Sequence, residues 1–399
     1  MSVSADKRKP VRIWVDGCFD LMHFGHFNAL RQAKAMGDYL VVGVHSDAEI
    51  EHHKGPTVMK EDERYAAVAA CKWVDEVVPN APYLTSLEWM DKYNCDFCVH
   101  GDDITTMADG TDCYQVVKDA GRYRYVYLKP DLVLEGNGKE CKRTQDISTT
   151  ELVGRMLLMT KDHHKRRGSI TSASITSVNT AEVGTFSTGG SKTKPDTKVS
   201  HFLPTSRKIV QFSEGKEPNA GDKVVYVDGT FDLFHTGHIE FLKRAKQMGD
   251  YLLVGIHDDQ TVNAIKGVNY PLMNLHERVL SVLACRYVDE VVIGAPYSVS
   301  DQVLEKVYKV DVVVHGNTPS LDDTDGQDPY KLAKERNIYV EIDNPQNSVT
   351  TESIIERIIT HRKLFEERQR RKEQKALLER EAEKAEKAAA AAAAAAAAQ

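Results

Sequence analysis

An internal duplication covers most of this chain and constrains its fold more than any other sequence feature. The segment from Gly37 to His45 (GDYLVVGVH) returns from Gly249 to His257 as GDYLLVGIH. Other pairs recur in the same order at nearly constant spacing: Lys54-Gly55 with Lys266-Gly267, Glu63-Arg64 with Glu277-Arg278, Val74–Val78 with Val288–Val292, Ala81–Tyr83 with Ala295–Tyr297, and His100-Gly101 with His315-Gly316. Repeats so far apart are whole domains rather than units of a solenoid, so the chain is predicted to contain two related domains.

Within each copy, short β-rich runs alternate with longer helical stretches. In the first copy the predicted strands are Val11–Val15, Tyr39–Val44, Glu76–Val78 and Phe97–His100, and the predicted helices are Phe27–Met36, Glu61–Cys71, Leu84–Tyr93 and Thr150–Met159. This alternation is typical of βαβ units, so each copy is predicted to be an α/β domain with a parallel sheet and helices on both faces. Ligands of such sheets bind at the carboxyl ends of the strands.

The composition sets the limits of the two domains. The first is predicted at residues 11–161 and the second at 207–362, separated by a Ser/Thr-rich segment, 162–206, that reads as a flexible linker. Residues 363–399 form a charged, alanine-ended tail, predicted to be a solvent-exposed helix with at most weak peripheral membrane contact.

Charge and cysteine content exclude several classes of protein. The net charge of −7 argues against a general nucleic-acid binder. Seven cysteines without regular spacing fit reduced thiols rather than a disulfide framework. With no signal-like or transmembrane segment, the sequence predicts a soluble, cytoplasmic protein.

A phosphate-binding turn is predicted in each copy. His23-Phe24-Gly25-His26 follows the first predicted strand, and His235-Thr236-Gly237-His238 follows its counterpart. A helix that starts just after a strand offers free N–H groups and the positive end of its dipole to an anion. Two histidines three residues apart on that turn can both face one ligand, so HxGH indicates a triphosphate site.

A second anion site is predicted before the last helix of the first copy. Ser148 and Glu151 form a capping-box pattern there, and Arg143 adds a permanent cation with fork geometry. In the second copy we align Asn344 with the arginine and Val349 with the serine, so that copy is predicted to lack a main charge-neutralising group.

Some residues allow two interpretations. Asp20 and Asp232 are either ligand contacts or helix caps. Tyr83 and Tyr297 either line an acceptor pocket, which we favour, or cover a sheet edge. Cys95 and Cys98 have the CxxC spacing of a zinc site, but they adjoin a predicted strand and no second Cys/His pair accompanies them, so a structural role is favoured over zinc or redox chemistry.

The twin HxGH, the lysine at Lys54 and the run Arg143-Thr-Gln-Asp-Ile-Ser-Thr-Thr150 resemble the cytidylyltransferase branch of the nucleotidyltransferase superfamily. The tandem arrangement resembles the ethanolamine-phosphate cytidylyltransferases of that branch. The resemblance implies Rossmann-like nucleotidyltransferase domains and the catalytic residues His23, His26, Lys54 and Arg143. Around the nucleotide it places Cys18, Phe19, Gly25, His100, Gly101, Asp102, Thr144, Ser148 and Thr149, and in the second copy Thr230, Phe231, His235, Gly237, His238, Lys266, Arg286, His315, Gly316, Asn317, Thr318, Thr350 and Thr351.

The resemblance also implies the reaction, its partners and its place in the cell. CMP would pass from CTP to phosphoethanolamine, giving CDP-ethanolamine and pyrophosphate for phospholipid synthesis. Mg²⁺ would accompany CTP, with no protein residue assigned as a metal ligand. We expect a pseudo-dimer of the two copies or a homodimer, and a cytoplasmic enzyme with peripheral contact at the endoplasmic reticulum. Two alternatives stay open: a choline-phosphate cytidylyltransferase, and a CTP-binding regulatory protein with a non-catalytic second domain.

Overall fold

The structure is a computed structural model that describes residues 8–101, 112–124, 147–159, 204–267, 269–317, 326–343, 349–368 and 370. The first copy contains the strands β1 (Arg12–Gly17), β2 (Tyr39–Val44), β3 (Glu76–Pro79), β4 (Phe97–Val99) and β5 (Tyr123–Arg124). Its helices are α1 (Phe24–Lys34), α2 (Asp47–Lys54), α3 (Glu61–Ala69), α4 (Leu87–Lys92), α5 (Gln115–Asp119) and α6 (Thr149–Met159).

The second copy repeats this arrangement. Its strands are β6 (Val224–Gly229), β7 (Tyr251–Ile256), β8 (Glu290–Ile293), β9 (Val312–Gly316) and β10 (Tyr339–Ile342). Its helices are α7 (Pro204–Phe212), α8 (Thr236–Lys246), α9 (Asp259–Lys266), α10 (Leu275–Leu283), a π-helix (Gln302–Val307), α11 (Lys331–Glu335) and α12 (Thr351–Thr360). Residues 362–368 are also helical, and we call them the C-terminal helical segment.

Each copy forms a five-stranded parallel sheet with apolar layers on both faces. The strand orders are β3-β2-β1-β4-β5 and β10-β9-β6-β7-β8, which are the same order read from opposite edges. On β1, Ile13 and Val15 pack into one core while Trp14 packs into the core on the other face. The predicted α/β fold class is confirmed, because strands buried on both faces require helices on both sides.

Most predicted element positions agree with the structure, but two helices of the first copy, α2 and α5, and the short strand β5 were not predicted. Helix α2 carries a single buried apolar residue, Ile50, so no apolar period of 3.6 residues marks it. Its N-terminal signal is Ser46, whose hydroxyl accepts the backbone N–H of Glu49 at 3.2 Å. Lys54, which we expected in a loop, is therefore the last residue of a helix.

Two predicted boundaries need correction. Helix α7 begins at Pro204, inside the segment assigned to the linker, since proline is well tolerated at a first helical position. The C-terminal helical segment is not the fully exposed tail we expected, because Phe365 is 3% exposed and packs into the core. The remaining linker residues and the tail beyond 370 lie outside the described part of the chain.

The two copies pack against each other about a shared apolar core with near two-fold symmetry. The backbones of Cys71 and Cys285 pair in an isolated antiparallel β-bridge between the copies. The N–H of Lys72 donates to the carbonyl of Ala284 at 2.9 Å, and the N–H of Arg286 donates to that of Ala70 at 2.9 Å. Residues of both copies belong to one buried cluster. The copies therefore pack into one unit rather than forming two independent domains.

Candidate active site

The HxGH turn of the first copy caps helix α1 through its own histidines. His23 is the N-cap residue, and its Nδ1 accepts the N–H of Gly25 at 3.1 Å. The Nδ1 of His26 lies 3.4 Å from the backbone N of His23, and the two rings are 4.1 Å apart. A neutral imidazole that accepts at Nδ1 carries its proton on Nε2. This hydrogen-bond network therefore makes both Nε2 atoms donors, as an anion site needs.

Gly25 has to be a glycine because the ring of His23 folds over it. A Cβ at this position would lie 2.8 Å from Cε1 of His23 and 3.3 Å from Cγ2 of Ile147. The short distance to Ile147 shows that the residue two positions before α6 packs on the HxGH turn. Any side chain here would displace the His23 ring from its capping position.

Asp20 does not cap α1, because His23 is the N-cap residue, and the Asp20 carboxylate binds backbone N–H groups of the loop after α2 instead. Its carboxylate, 2% exposed, accepts the N–H groups of Val58 and Met59 at 3.1 and 2.9 Å. Asp232 makes the equivalent contacts with Leu272 and Met273 at 2.6 and 2.9 Å. These carboxylates fix the HxGH turn to the loop that follows the site lysine.

Lys54 lies at the C-terminal end of α2, next to Tyr83. Its Nζ is 5.4 Å from the centre of the Tyr83 ring, which stacks on His53 at 4.1 Å. Burial raises the pKa of the Tyr83 hydroxyl, and the Lys54 ammonium opposes that shift. Gly55, with φ of 87°, ends the helix in a conformation that glycine adopts without strain. Tyr83 is 6% exposed and lies beside Lys54, and the pocket role that we favoured stays a prediction.

The start of α6 docks on the HxGH turn. Ser148 caps the helix, its hydroxyl accepting the N–H of Glu151 at 3.1 Å as the capping pattern predicted. Thr149 donates its hydroxyl proton to the carbonyl of Asp20 at 2.7 Å. Two helix N-termini, those of α1 and α6, therefore meet beside the histidines. Arg143, Thr144 and Asp102 lie outside the described residues, so their predicted roles stay predictions.

His100 and Gly101 lie at the carboxyl end of β4, on the same side of the sheet as the turn. The His100 ring is 4.5 Å from the ring of Tyr114. Its Nδ1 is buried and has no hydrogen-bond partner within the described part of the chain. A buried ring nitrogen without a partner fits a ligand group bound nearby. The remaining predicted contacts flank the turn: Cys18 is partly exposed, and the Phe19 ring lies 5.8 Å from that of His26.

Two residues of this site were not predicted. Arg64, buried in α3, donates to the carbonyl of Cys18 at 2.7 Å and to Asp47 at 2.9 Å, and so holds the turn. Asp16 is 4% exposed and accepts the Tyr114 hydroxyl at 2.6 Å, the Trp14 indole N–H at 2.9 Å and the Thr85 hydroxyl. Both recur in the duplication, as Arg278 and Asp228, and that recurrence was the available signal.

The second copy preserves the histidine pair. The rings of His235 and His238 are 3.8 Å apart. Burial, with Lys266 nearby, lowers the pKa of His235 to about 3. Burial also lowers the pKa of His238 well below its usual value. Lys266 again ends a helix, α9, and Phe231 lies 5.3 Å from His238. This site keeps its geometry with two neutral imidazoles.

The predicted alignment of the last motif is wrong by one residue. Thr350 caps α12 as Ser148 caps α6, accepting the N–H of Ser353 at 3.1 Å. Thr351 donates to the carbonyl of Asp232 at 3.0 Å, as Thr149 does to Asp20. Thr350, not Val349, is thus the counterpart of Ser148, and the same count sets Pro345 against Arg143. The second copy keeps the hydroxyl cap and still has no arginine at that position.

Arg286, which we predicted near the nucleotide of the second copy, contacts the first copy in the structure. Its Nη2 donates across the interface to the carbonyls of Cys71 and Val74 at 2.9 and 2.6 Å. It follows Cys285, which forms the backbone bridge between the copies, so its side chain is directed to the other copy.

Other predicted residues of the second copy lie at or near the expected edge. His315 and Gly316 end β9, and Asn317 donates to Asp343 at 3.2 Å. The carbonyl of Thr230 accepts from Arg278 at 2.7 Å. Gly237 has no room for a side chain, because a Cβ would lie 2.1 Å from the carbonyl oxygen of Val349. Thr318 lies outside the described residues.

Cys95 and Cys98 are buried in the core beneath β1 together with Trp14. Burial raises the pKa of the Cys95 thiol to about 12. A structural role is therefore supported.

Comparison with known proteins gives the same assignment for both copies. A family model described as cytidylyltransferase-like matches residues 14–155 and 226–373. The chain is 53% identical to the ethanolamine-phosphate cytidylyltransferase of Dictyostelium discoideum, over 94% of this chain and 98% of that protein. It is 52% identical to the Mus musculus protein of the same name, over 92% and 90% of the two chains. Choline-phosphate cytidylyltransferase A of Mus musculus is 40% identical over 37% of each chain.

Proposed function

The chain belongs to the cytidylyltransferase-like family and, within it, to the ethanolamine-phosphate cytidylyltransferases, and we propose that its first copy carries the catalytic site. The reaction transfers CMP from CTP to phosphoethanolamine and yields CDP-ethanolamine and pyrophosphate. The observation that supports the location is the meeting of His23 and His26 with the N-termini of α1 and α6. Lys54 ends α2, and Asp20 binds the loop that follows it to the same turn.

The nucleophile in this reaction needs little activation. A phosphomonoester has a second pKa of about 6, so it is mostly a dianion at neutral pH. One of its oxygens attacks the α-phosphorus of CTP. The bond from that phosphorus to the bridging oxygen breaks, and the electron pair leaves with pyrophosphate. Since no proton has to be removed, catalysis requires alignment of two anions and neutralisation of the charge that develops on the leaving group.

The residues of the first copy supply that neutralisation. His23 and His26 offer Nε2–H donors because their Nδ1 atoms face backbone N–H groups. Lys54 adds a cation from the end of α2. The N-termini of α1 and α6 add oriented N–H groups and the positive ends of two helix dipoles. We assign the triphosphate to these groups, with Arg143 as a further cation on sequence grounds.

Mg²⁺ fits this site as an ion bound to the phosphates of CTP. No group of three or more His, Cys, Asp or Glu residues among those the structure describes could hold a metal ion. The Asp16 carboxylate already accepts three donors. Mg²⁺ is commonly held by substrate phosphates with few protein ligands, and there it would neutralise phosphate charge. We therefore propose Mg²⁺ bound to the triphosphate rather than to a protein cage.

We assign the acceptor to the space beside Tyr83. The ring stacks on His53 and lies near the Lys54 ammonium. Lys54 at this position can neutralise the acceptor phosphate as it approaches the α-phosphorus. Choline-phosphate relatives match less than half of the chain and at lower identity, so ethanolamine is the favoured acceptor base.

For the second copy we propose nucleotide binding without turnover. The position that corresponds to Arg143 holds Pro345 there, so this copy has no arginine at that position to neutralise charge. Membrane contact and a homodimer also remain proposals. No helix in the described ranges is long and apolar enough to cross a bilayer. We place the reaction in the cytoplasm, with peripheral contact at the endoplasmic reticulum.

The test of this function is an assay of the purified full chain with CTP, Mg²⁺ and either phosphoethanolamine or phosphocholine, with pyrophosphate release as the readout. We expect pyrophosphate only with phosphoethanolamine. Equal turnover of phosphocholine would favour the choline alternative, and no turnover of either base would favour a regulatory protein.

A further inference from the structure

The C-terminal helical segment, residues 362–368, follows the second copy in sequence but reaches the site of the first copy. Nη1 of Arg368 donates to the carbonyl of Pro56, two residues after Lys54. The same atom lies 3.5 Å from Oδ2 of Asp20. The Arg368 side chain is 21% exposed and the Asp20 side chain 2% exposed, so this contact is largely withdrawn from water. Phe365 anchors the segment in the shared core.

The aliphatic part of Arg368 covers the glycine that ends α2. An ideal Cβ built at Gly55 would lie 3.8 Å from both Cγ and Cδ of Arg368. The peptide segment after Lys54 is thereby held at two points. Asp20 accepts the N–H groups of Val58 and Met59, and Arg368 donates to the carbonyl of Pro56.

We propose that Arg368 is a positioning residue for the first copy, fixing the Gly55–Pro56 turn and through it the catalytic Lys54. The inference rests on the proposed role of Lys54. It makes the site of the first copy dependent on a residue that follows the second copy. The second copy then contributes to catalysis by carrying this arginine, whether or not it binds a nucleotide.

The reason lies in the flexibility of the lysine and of the turn. The last turn of a helix lacks some of its intrahelical bonds, and a glycine at its end has wide backbone freedom. Lysine adds a long side chain with several rotatable bonds. A displacement of about 1 Å in a catalytic group can cost about 10²-fold in rate. A guanidinium that binds the next carbonyl limits this displacement.

The test compares Arg368→Ala with Arg362→Ala in the full-length chain. Arg362 lies in the same segment but pairs with Glu366 on its own helix at 2.8 Å, so it serves as a matched control. We expect Arg368→Ala to lower kcat about tenfold with the KM for CTP changed less than about twofold, as for loss of a transition-state alignment. Arg362→Ala should keep the parent kcat. Arg368→Gln, which keeps the stem over Gly55, should lose kcat in the same way and serves if the alanine variant folds poorly.

A double-mutant cycle with Lys54→Ala separates positioning from general destabilisation. If Arg368 acts through Lys54, its replacement should cost less than about twofold once Lys54 is absent. An equal loss in both backgrounds, or full kcat in Arg368→Ala and Arg368→Gln, would overturn the inference and leave the proposed function intact. Full activity of Lys54→Ala alone would instead refute the proposed role of Lys54.

Discussion

Arg155 of α6 donates to both carboxylate oxygens of Glu277 in α10, at 2.8 and 2.9 Å, and so ties the first copy to the second. Arg357 of α12 repeats the contact in the opposite direction, donating to Glu63 at 2.7 Å. Each arginine lies on the helix whose N-terminus forms part of its own copy's site. The duplication has thus produced an interface in which an arginine on each of these two helices binds a glutamate of the other copy.

We predict that Arg155→Ala destabilises the chain. The Glu277 side chain is 4% exposed, so removing its partner leaves a buried carboxylate without its cation. The expected loss is about 2–3 kcal/mol in the free energy of unfolding, below the value for a fully buried pair since Arg155 is 28% exposed. Urea denaturation measures it. Arg336→Ala, which removes exposed ion pairs, is the control and should change stability by less than about 1 kcal/mol. Equal effects of the two variants would contradict the prediction.

Stability should fall between neutral pH and pH 5, in part because of His235. Burial lowers its folded-state pKa to about 3, whereas the unfolded chain binds the proton near 6.5. Below the unfolded pKa the unfolded state therefore binds more protons, and stability is lost as pH falls. One such group contributes about 2 kcal/mol between pH 7 and pH 5.

The check on this pH dependence is a pair of urea titrations, at pH 7 and pH 5. His235→Gln should lose about 2 kcal/mol less than the parent protein over this range. His361→Gln, at an exposed position, should behave like the parent. A parent-like pH dependence in His235→Gln would show that this histidine is not buried in its neutral form.

Gly25→Ala should lower activity by about tenfold or more. The new Cβ would lie 2.8 Å from the His23 ring and force the ring out of its capping position. In Gly154→Ala the added methyl meets no atom within 4 Å on helix α6, so that variant should gain about 0.5–1 kcal/mol of stability and keep its activity. Steady-state kinetics and thermal unfolding of both variants provide the measurement. Normal kcat in Gly25→Ala would mean that the His23 ring can move without cost.

Replacing Tyr83 should affect the acceptor rather than CTP. The Tyr83 ring stacks on His53 and lies near the Lys54 ammonium, beside the proposed acceptor space. We expect Tyr83→Ala to raise the KM for phosphoethanolamine about tenfold, the effect of losing about 1.4 kcal/mol of binding. The KM for CTP should change little. Tyr297→Ala is the matched variant in the second copy and should leave both values near those of the parent. A selective rise in the KM for CTP would place the nucleotide, not the acceptor, at Tyr83.

The sequence was sufficient to predict the fold and the strand ends at which the predicted site residues lie. Regular alternation of apolar runs, repeated twice, determines parallel sheets, and glycine-containing turns at strand ends mark ligand positions. His23 and His26 lie at the start of α1, where the start of α6 with Ser148 docks, and Lys54 ends α2. The predictions that failed concern features without a clear local sequence pattern. Helix α2 has almost no apolar face, so only its cap could have revealed it.

Contacts between the copies could not be predicted from local patterns. Arg286 looks like a site residue by resemblance, yet it binds carbonyls of Cys71 and Val74 in the other copy. Phe365 and Arg368 occur in a stretch whose composition is that of an exposed helix. One buried aromatic ring and one arginine contact do not show in the composition of a charged stretch, so composition alone could not reveal them. Their role follows only from the packing of one copy on the other.

The most direct test of the central claim, that the first copy is the catalytic one, compares His26→Ala with His238→Ala. The two residues occupy equivalent places three residues after the helix-capping histidine, at the start of α1 and α8. Measured as kcat for CDP-ethanolamine formation, His26→Ala should lose about 10²-fold, the usual cost of a lost transition-state donor. His238→Ala should stay within about threefold of the parent kcat, since the second copy is assigned no turnover. Near-parent kcat in His26→Ala, with a loss of about 10²-fold in His238→Ala, would contradict the account and assign catalysis to the second copy.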